Sequence, residues 1–152
     1  MPRKPRPILD GGLYHVWARG IDRRDLFTDD RDRRAYLALL NDACEEFGWN
    51  RLAYCLMNNH VHLLLETPRG NLSQGMQRLQ SRYAQRFNLR HDRSGHVFQG
   101  RFGCKLISTD EQLVVVTRYI ANNPVEAGLC AEPNRWPWTD TSVAEAWCAL
   151  AR

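Results

Sequence analysis

The sequence predicts an α+β fold, in which helices pack on an antiparallel sheet with the split βαβ plan of ferredoxin-like and RNA-recognition (RRM-like) folds. Two observations predict it. Strand-like and helix-like patterns follow one another in the order strand, helix, strand, strand, helix, strand, helix. The chain of 152 residues is also long enough for one domain with a real core and too short for two comfortable ones.

The first strand and the first helix have clear signatures. Residues 12–19, GLYHVWAR, are rich in aromatic and β-branched types, which favour strands. After a polar turn, apolar residues recur at helical spacing from about residue 29 to 47. Thr28 is a suitable N-cap, and acidic residues follow in the opening turn. We expect a strand followed by an amphipathic helix.

A hairpin is predicted next. Residues 49–57, WNRLAYCLM, and residues 60–66, HVHLLLE, both have strand composition. Between them lie Asn58 and Asn59, and asparagine tolerates the left-handed backbone region that tight hairpin turns demand. We therefore expect two antiparallel strands joined by a two-residue turn.

The second half of the chain adds two helices and a strand. Apolar spacing predicts a helix over residues 72–90, and a strand is expected between about residues 97 and 107. Thr109 or Asp110 can cap a third helix. This helix is expected to end near Asn122, because Pro124 cannot donate a backbone hydrogen bond.

The composition indicates one domain with short tails. Residues 1–12 form a basic, proline-rich segment, which we interpret as a flexible arm rather than a signal peptide. The domain then covers residues 13–130, and a tryptophan-rich tail over residues 131–152 is expected to pack back on it as a short helix. No apolar run is long enough to span a bilayer, so we expect no membrane association and a cytoplasmic location.

The charge distribution suggests a polyanionic partner. The formal net charge is +4, and 19 of the 21 basic residues are arginines, whose planar guanidinium suits phosphates and base edges. Eight basic residues and one acid lie between Thr67 and Thr109. Nucleic acid is the simplest partner for such a block.

Two histidines stand at the start of the third strand, in the stretch MNNHVHLLLE. Because alternate strand residues share a face, His60 and His62 point the same way. Two imidazoles so arranged can hold one divalent ion. Taken alone, the pair is a weak motif, and ordinary surface or turn histidines at a strand edge are the simpler interpretation.

The third helix contributes two further candidates in TRYIANNP. Tyr119 and Asn123 are four residues apart and share a helix face. Asn123 offers an amide oxygen as a hard ligand, and Tyr119 offers a phenol that can act as a nucleophile on a phosphate. The structural alternative makes Tyr119 a core aromatic and Asn123 a helix stop before proline.

Four spaced segments resemble one known family. NHVHLLL is similar to the His-hydrophobic-His motif of HUH endonucleases, and YHVWARGIDRRDLF, RSGHVFQGRF and RYIANNPVEAGL match in the same order. Together they resemble the REP-associated tyrosine transposases, which are single-tyrosine HUH transposases of the IS200-like family. Two departures are Asn58, where proline is expected, and Glu126, where a basic residue is common.

This resemblance implies a metal-dependent enzyme that cleaves and rejoins single-stranded DNA hairpins at REP-type repeats. It makes His60, His62 and Asn123 the ligands of a Mg²⁺ or Mn²⁺ ion and Tyr119 the catalytic nucleophile. The implied products are a 5′-phosphotyrosine and a free 3′-hydroxyl. The sequence leaves open whether one chain or a homodimer forms the site.

The DNA-binding candidates fall into three groups: the turn after the first strand, the exposed face of the second helix, and the segment around the fourth strand. Loops that flank a sheet commonly carry binding groups, and a helical arginine stripe can follow phosphates or simply face solvent. The candidates are Arg19, Arg23, Arg24, Arg78, Arg82, Arg86, Arg93, His96, Gln99 and Arg101. Trp17, Phe98 and Phe102 are candidates for stacking on unpaired bases, with core packing as their alternative.

Two other functions fit parts of the sequence. A domesticated protein on the same fold would bind DNA or RNA hairpins without cutting them. A phosphoesterase with two His-x-Thr/Ser motifs would need a second motif that the sequence lacks. Nothing in the four candidate site residues suggests decay, so a transposase is the preferred interpretation.

Overall fold

A five-stranded antiparallel sheet forms the centre of the protein. The computed structural model describes residues 11–150, so most of the predicted N-terminal arm lies outside the described residues. The strand order is β4-β1-β3-β2-β5. The strands are β1 (Gly12–Arg19), β2 (Asn50–Leu56), β3 (His60–Thr67), β4 (Gly103–Leu106) and β5 (Thr139–Asp140).

Helices cover both faces of this sheet. Helices α1 (Asp30–Phe47) and α2 (Leu72–His91) pack on one face, where they share a core cluster with alternate residues of β1 and β3. Helices α3 (Asp110–Glu126) and α4 (Ser142–Leu150) pack on the opposite face. The predicted α+β architecture with a split βαβ sheet is confirmed.

Alternation along β3 decides which residues meet which helices. Val61, Leu63 and Leu65 lie in the cluster with α1 and α2, whereas Leu64 lies in the cluster with α3 and α4. His60 and His62 have the same parity as Leu64 and therefore face α3. Strand β3 is thus buried on both faces, and its two histidines lie on the face covered by α3 and α4.

The turn between β2 and β3 has the predicted length but not the predicted conformation. The Met57 N–H donates to the His60 carbonyl at 2.9 Å across Asn58 and Asn59. Neither asparagine has a positive φ, so the expectation of a left-handed turn was wrong. Asn58 instead accepts at its carbonyl from the N–H groups of Leu26 and Phe27, and these contacts hold the turn against the preceding loop.

Two helix ends differ from expectation. The N-cap of α1 is Asp29 rather than Thr28, because the Asp29 carboxylate accepts from the Asp32 N–H and the Thr28 side chain donates to Asp32. Helix α3 continues through Pro124 to Glu126 instead of ending near Asn122. Pro124 is buried and lies two residues before the end of α3, so the missing backbone donor falls in the last turn of the helix.

The fourth strand is much shorter than residues 97–107. Only Gly103–Leu106 pairs with β1 over several residues, while Phe98 makes an isolated bridge to Gly20. Gly100 has a positive φ of 66°, which interrupts an extended strand, and the side chains of Val97 and Phe98 are buried in the core. Residues 97–102 are therefore a core-anchored loop.

The C-terminal segment contributes β5 and α4. Strand β5 pairs with β2, and Ala144 and Cys148 of α4 are buried in the cluster with α3. The Trp136 indole N–H donates to the Leu56 carbonyl at 2.8 Å, close to the β2–β3 turn. In the described part of the chain, no helix is both long and apolar enough to cross a membrane.

A charged network joins the start of α1 to the end of α2. The Arg90 guanidinium donates to Asp32 at 2.6 Å and to Asp29 at 2.5 Å, and His91 contacts Asp32 at 3.0 Å. Hydrogen bonding to Arg90 lowers the pKa of Asp29. Burial raises the pKa of Asp32, but hydrogen bonds from Thr28, Arg90 and His91 outweigh it and leave the pKa below its ordinary value.

Arg90→Gln is therefore expected to destabilise the protein in a pH-dependent manner. Both aspartates have folded-state pKa values below their unfolded values, so their contribution is present above about pH 4 and is lost as the pH falls through the folded pKa. The urea midpoints of the wild type and Arg90→Gln should differ strongly near neutral pH and less at about pH 3. Arg86→Gln, at an exposed position of the same helix, is the control. An equal difference at both pH values would contradict this account.

Candidate functional site

Strands β1 and β3 form the floor of the candidate site. Their antiparallel register sets Trp17 opposite His62 and Arg19 opposite His60. His15 lies two residues before Trp17 on the same face of β1, and its Nε2 is 3.0 Å from Nδ1 of His62. Three imidazoles thus share one patch of the sheet.

Helix α3 closes the site from above. Nε2 of His60 is 3.1 Å from Oδ1 of Asn123. Tyr119, one turn earlier, presents its ring edge-on to His62 with 5.4 Å between ring centroids, and its side chain is 46% exposed. The four residues predicted from sequence as ligands and nucleophile therefore lie together.

A cavity of about 340 Å³ opens beside these side chains. It is bordered by two cationic residues, Arg19 and Lys105, and by no carboxylate. Its lining residues are His15, Trp17, Ala18, Arg19, His60, His62, Lys105 and Tyr119. Positive charge beside an exposed phenol is suited to a phosphodiester group.

Burial favours the neutral form of the three histidines. It lowers the pKa of His62 to about 3, with repulsion from His15, His60 and Arg19 acting in the same direction. Burial and the nearby Lys105 lower the pKa of His15 to about 4, and burial also lowers the pKa of His60. Neutral imidazole is the form that binds a metal ion.

The donor set around His60 fits a cation. The amide nitrogen of Asn59 donates to the Arg23 carbonyl at 3.3 Å, so its Oδ1 accepts from Nδ1 of His60 at 2.8 Å. Nε2 of His60 is then unprotonated, and its lone pair faces the side-chain oxygen of Asn123. An imidazole nitrogen and an amide oxygen 3.1 Å apart are suited to serve as two ligands of one cation.

Few conventional metal-binding side chains are grouped at this site. Within residues 11–150, no three histidine, cysteine or carboxylate side chains are grouped to hold a metal ion. A site here therefore depends on the amide oxygen of Asn123 as its third protein ligand. Oxygen and imidazole ligands together are compatible with Mg²⁺ or Mn²⁺.

The loop candidates for DNA binding lie at one end of β1. Gln99 donates its N–H to the Arg19 carbonyl at 2.9 Å, and Ile21 donates to the Val97 carbonyl at 2.9 Å. These bonds join the turn after β1 to the loop before β4. The two segments carry exposed or half-exposed polar side chains, namely Arg19, Arg23, Arg24, Arg93, His96, Gln99 and Arg101.

The helical candidates are not brought to this cavity. Arg78, Arg82 and Arg86 belong to α2, which packs on the sheet face opposite to the histidines. Arg78 forms an ion pair with Glu46 at 2.9 Å, and Arg82 and Arg86 are exposed. Any contact they make with DNA is remote from His60.

Among the stacking candidates, only Trp17 remains available. Phe98 and Phe102 are 9% and 5% exposed and belong to the core, whereas Trp17 is 39% exposed. A Cβ on Gly103 would lie 2.2 Å from the Trp17 indole, so glycine is required beside this ring. The Trp17 ring thus lies against Gly103 of the neighbouring strand and remains partly exposed to solvent.

Sequence reasoning missed His15 and Lys105. Both lie on the histidine face of the sheet and line the cavity. The alternation His15, Trp17, Arg19 along β1 was a usable signal, but the pairing of β1 with β3 was needed to bring His15 to His62.

The comparisons with known proteins agree with the fold and the motifs. The family model described as "Transposase IS200 like" matches residues 10–123. A Haemophilus influenzae protein assigned as a REP-associated tyrosine transposase is 27% identical over 148 residues, covering 88% of this chain and 82% of the relative.

Two solved structures share the fold. A REP-associated tyrosine transposase bound to a REP hairpin has a TM-score of 0.79 and 17% identity, with 91% of this chain and 82% of that chain covered. A structure assigned as a transposase from Deinococcus radiodurans has a TM-score of 0.54 and 20% identity, covering 80% of this chain and 97% of that one. With the family match over residues 10–123, the resemblance carried by the four motifs is confirmed, and the chain belongs to the IS200-like transposase family.

Proposed function

We propose that this transposase nicks and rejoins single-stranded DNA next to repeat hairpins through a tyrosine–DNA intermediate. The observation that carries the proposal is the convergence of Tyr119, His60 and His62 at one cationic cavity, with Asn123 in contact with His60. Tyr119 is the nucleophile, and His60, His62 and Asn123 are the residues that would hold a divalent ion.

The ion would supply Lewis-acid polarisation of the scissile phosphate. This chain's own residues supply the rest of the arrangement. Nε2 of His60 and Oδ1 of Asn123, 3.1 Å apart, would be two of the ligands, and Asn59 favours the required tautomer of His60 by accepting from its Nδ1. Arg19 and Lys105 attract the phosphodiester and offset its charge.

In the reaction, the Tyr119 oxygen attacks phosphorus and the phenol proton is released. The bond from phosphorus to the 3′ oxygen breaks, and that oxygen takes up a proton to become a 3′-hydroxyl. The 5′ end remains joined to Tyr119 as a phosphotyrosine. Because the phosphodiester energy is kept in this bond, a 3′-hydroxyl can reverse the step and join strands.

The proposed substrate is a hairpin with a short single-stranded flank. Two observations support it: the relative from Haemophilus influenzae is assigned as REP-associated, and the fold neighbour was solved bound to a REP hairpin. In this chain, the basic loops adjoin the end of β1 at the cavity. A hairpin held by these loops would present its flanking strand to Tyr119.

The test uses hairpin oligonucleotides, labelled at either end, whose sequence is a repeat taken from beside the gene. With Mg²⁺ or Mn²⁺, the protein should produce a nicked strand and a covalent protein–DNA band on denaturing gels. Chelation, or the double substitution His60→Ala and His62→Ala, should abolish both products. Hairpin binding without any metal-stimulated adduct would overturn the proposal and favour a non-cleaving hairpin-binding protein.

Trp17→Ala is expected to weaken binding of the single-stranded flank. Stacking of a base on an aromatic ring contributes about 1–3 kcal/mol, so the dissociation constant should rise by about 5–150-fold. Trp17→Phe should recover most of the affinity. Fluorescence anisotropy should show this loss with a flanked hairpin and little change with a blunt hairpin. An equal loss for both oligonucleotides would argue against stacking in the cavity.

A further inference from the structure

We propose that His15 is a positioning residue that orients His62 and fixes which of its nitrogens binds the metal ion. This inference rests on the proposed metal site and goes beyond its ligands. His15 is on β1, outside the His-hydrophobic-His motif, and its ring meets His62 from the neighbouring strand.

The contact is close and directional. Nε2 of His15 lies 3.0 Å from Nδ1 of His62, and the ring planes differ by 26° with centroids 5.2 Å apart, so the two rings meet edge to edge. His62 is 6% exposed, so water has little access to this nitrogen. A hydrogen bond in such a place restricts both the rotation of the ring and its tautomer.

Only one direction of this bond permits metal binding through Nε2 of His62. If Nδ1 of His62 donates to His15, Nε2 of His62 is unprotonated and carries a free lone pair. If His15 donates instead, the proton of neutral His62 lies on Nε2 and blocks coordination there. We assign the first arrangement, with His15 as acceptor.

His60 and His62 are then oriented by equivalent means. Asn59 accepts from Nδ1 of His60 at 2.8 Å, as His15 accepts from Nδ1 of His62. Partners of this kind commonly change metal affinity by about 10–100-fold when they are removed. Both ligands therefore expose Nε2 for the same reason.

The first test measures Mn²⁺ affinity of the DNA-free protein by isothermal titration calorimetry. His15→Leu should bind Mn²⁺ about 10–100-fold more weakly. His15→Gln, whose amide oxygen can accept from Nδ1 of His62, should recover most of the affinity. His96→Leu, at an exposed position of the loop before β4, controls for loss of any imidazole. Circular dichroism checks that each variant is folded.

The second test observes the tautomer directly. Nitrogen-15 NMR of the metal-free protein should show His62 protonated on Nδ1, and His15→Leu should give a mixture of tautomers. A wild-type His62 protonated on Nε2, or equal Mn²⁺ affinity in wild type and His15→Leu, would overturn the inference alone. If wild type binds no Mn²⁺, the metal site of the proposed function fails as well.

Discussion

Tyr119→Phe is expected to bind a repeat hairpin with unchanged affinity and to form no covalent adduct. The substitution removes one oxygen from a side chain that is 46% exposed and leaves its packing against His15 and His62 intact. Loss of a nucleophile that forms a covalent intermediate should reduce cleavage by about 10³-fold or more. Denaturing gels with the labelled hairpin measure the adduct, and anisotropy measures binding.

The matched control is Tyr54→Phe. Tyr54 is a half-buried residue of β2 that packs with the core cluster of α1 and α2, on the other face of the sheet from Tyr119. The Tyr54→Phe variant should still form the covalent adduct and cleave the hairpin. Adduct formation by Tyr119→Phe at the wild-type rate would exclude Tyr119 as the nucleophile, and another nucleophile would have to be sought by mapping the adduct peptide.

The sheet and its helices were predictable because local patterns agree with tertiary packing. The core side of α2, including Met76, Leu79 and Tyr83, repeats at helical spacing and is buried as expected. The predicted element boundaries were wrong at two places, the end of α3 and the start of the fourth strand. Pro124 lies within the last turn of α3, and Gly100, with a positive φ, interrupts the strand predicted over residues 97–107.

The site was predictable to the extent that it follows from one element at a time. Parity along β3 puts His60 and His62 on one face, and a four-residue step along α3 aligns Tyr119 with Asn123. The position of His15 beside His62 depends on the register between β1 and β3, and the sequence of either strand alone does not predict that register. The resemblance to a family supplied roles for the ligands but none for His15.

Arg33 is a feature that sequence patterns did not reveal. It lies on the buried side of α1 and is 5% exposed, beneath the C-terminal tryptophans. Its guanidinium carbon lies 5.2 Å from the ring of Trp136 and 5.9 Å from that of Trp138, and its Nη2 donates to Oδ1 of Asn58 at 2.6 Å. Burial lowers its pKa, and the nearby Asp30 acts in the opposite direction.

This arginine joins three segments that meet beside the β2–β3 hairpin. The Asn58 side chain that it holds belongs to the turn directly before His60, and Trp136 donates to the last residue of β2. Asn58 stands where the family resemblance leads one to expect proline. In this chain, the hydrogen bond from Arg33 restrains the Asn58 side chain of the turn.

Arg33→Ala is therefore expected to lower the free energy of unfolding by about 2–4 kcal/mol, through a cavity beneath the tryptophans and the lost bond to Asn58. Arg33→Met fills the same space without the charge and should cost about half as much, since buried cations carry a desolvation penalty. Urea unfolding followed by tryptophan fluorescence measures both. Arg34→Ala, an exposed neighbour on α1, should change stability by about 0.5 kcal/mol or less. If Arg33→Ala matched Arg34→Ala, the tail and the hairpin would not be held together by this side chain.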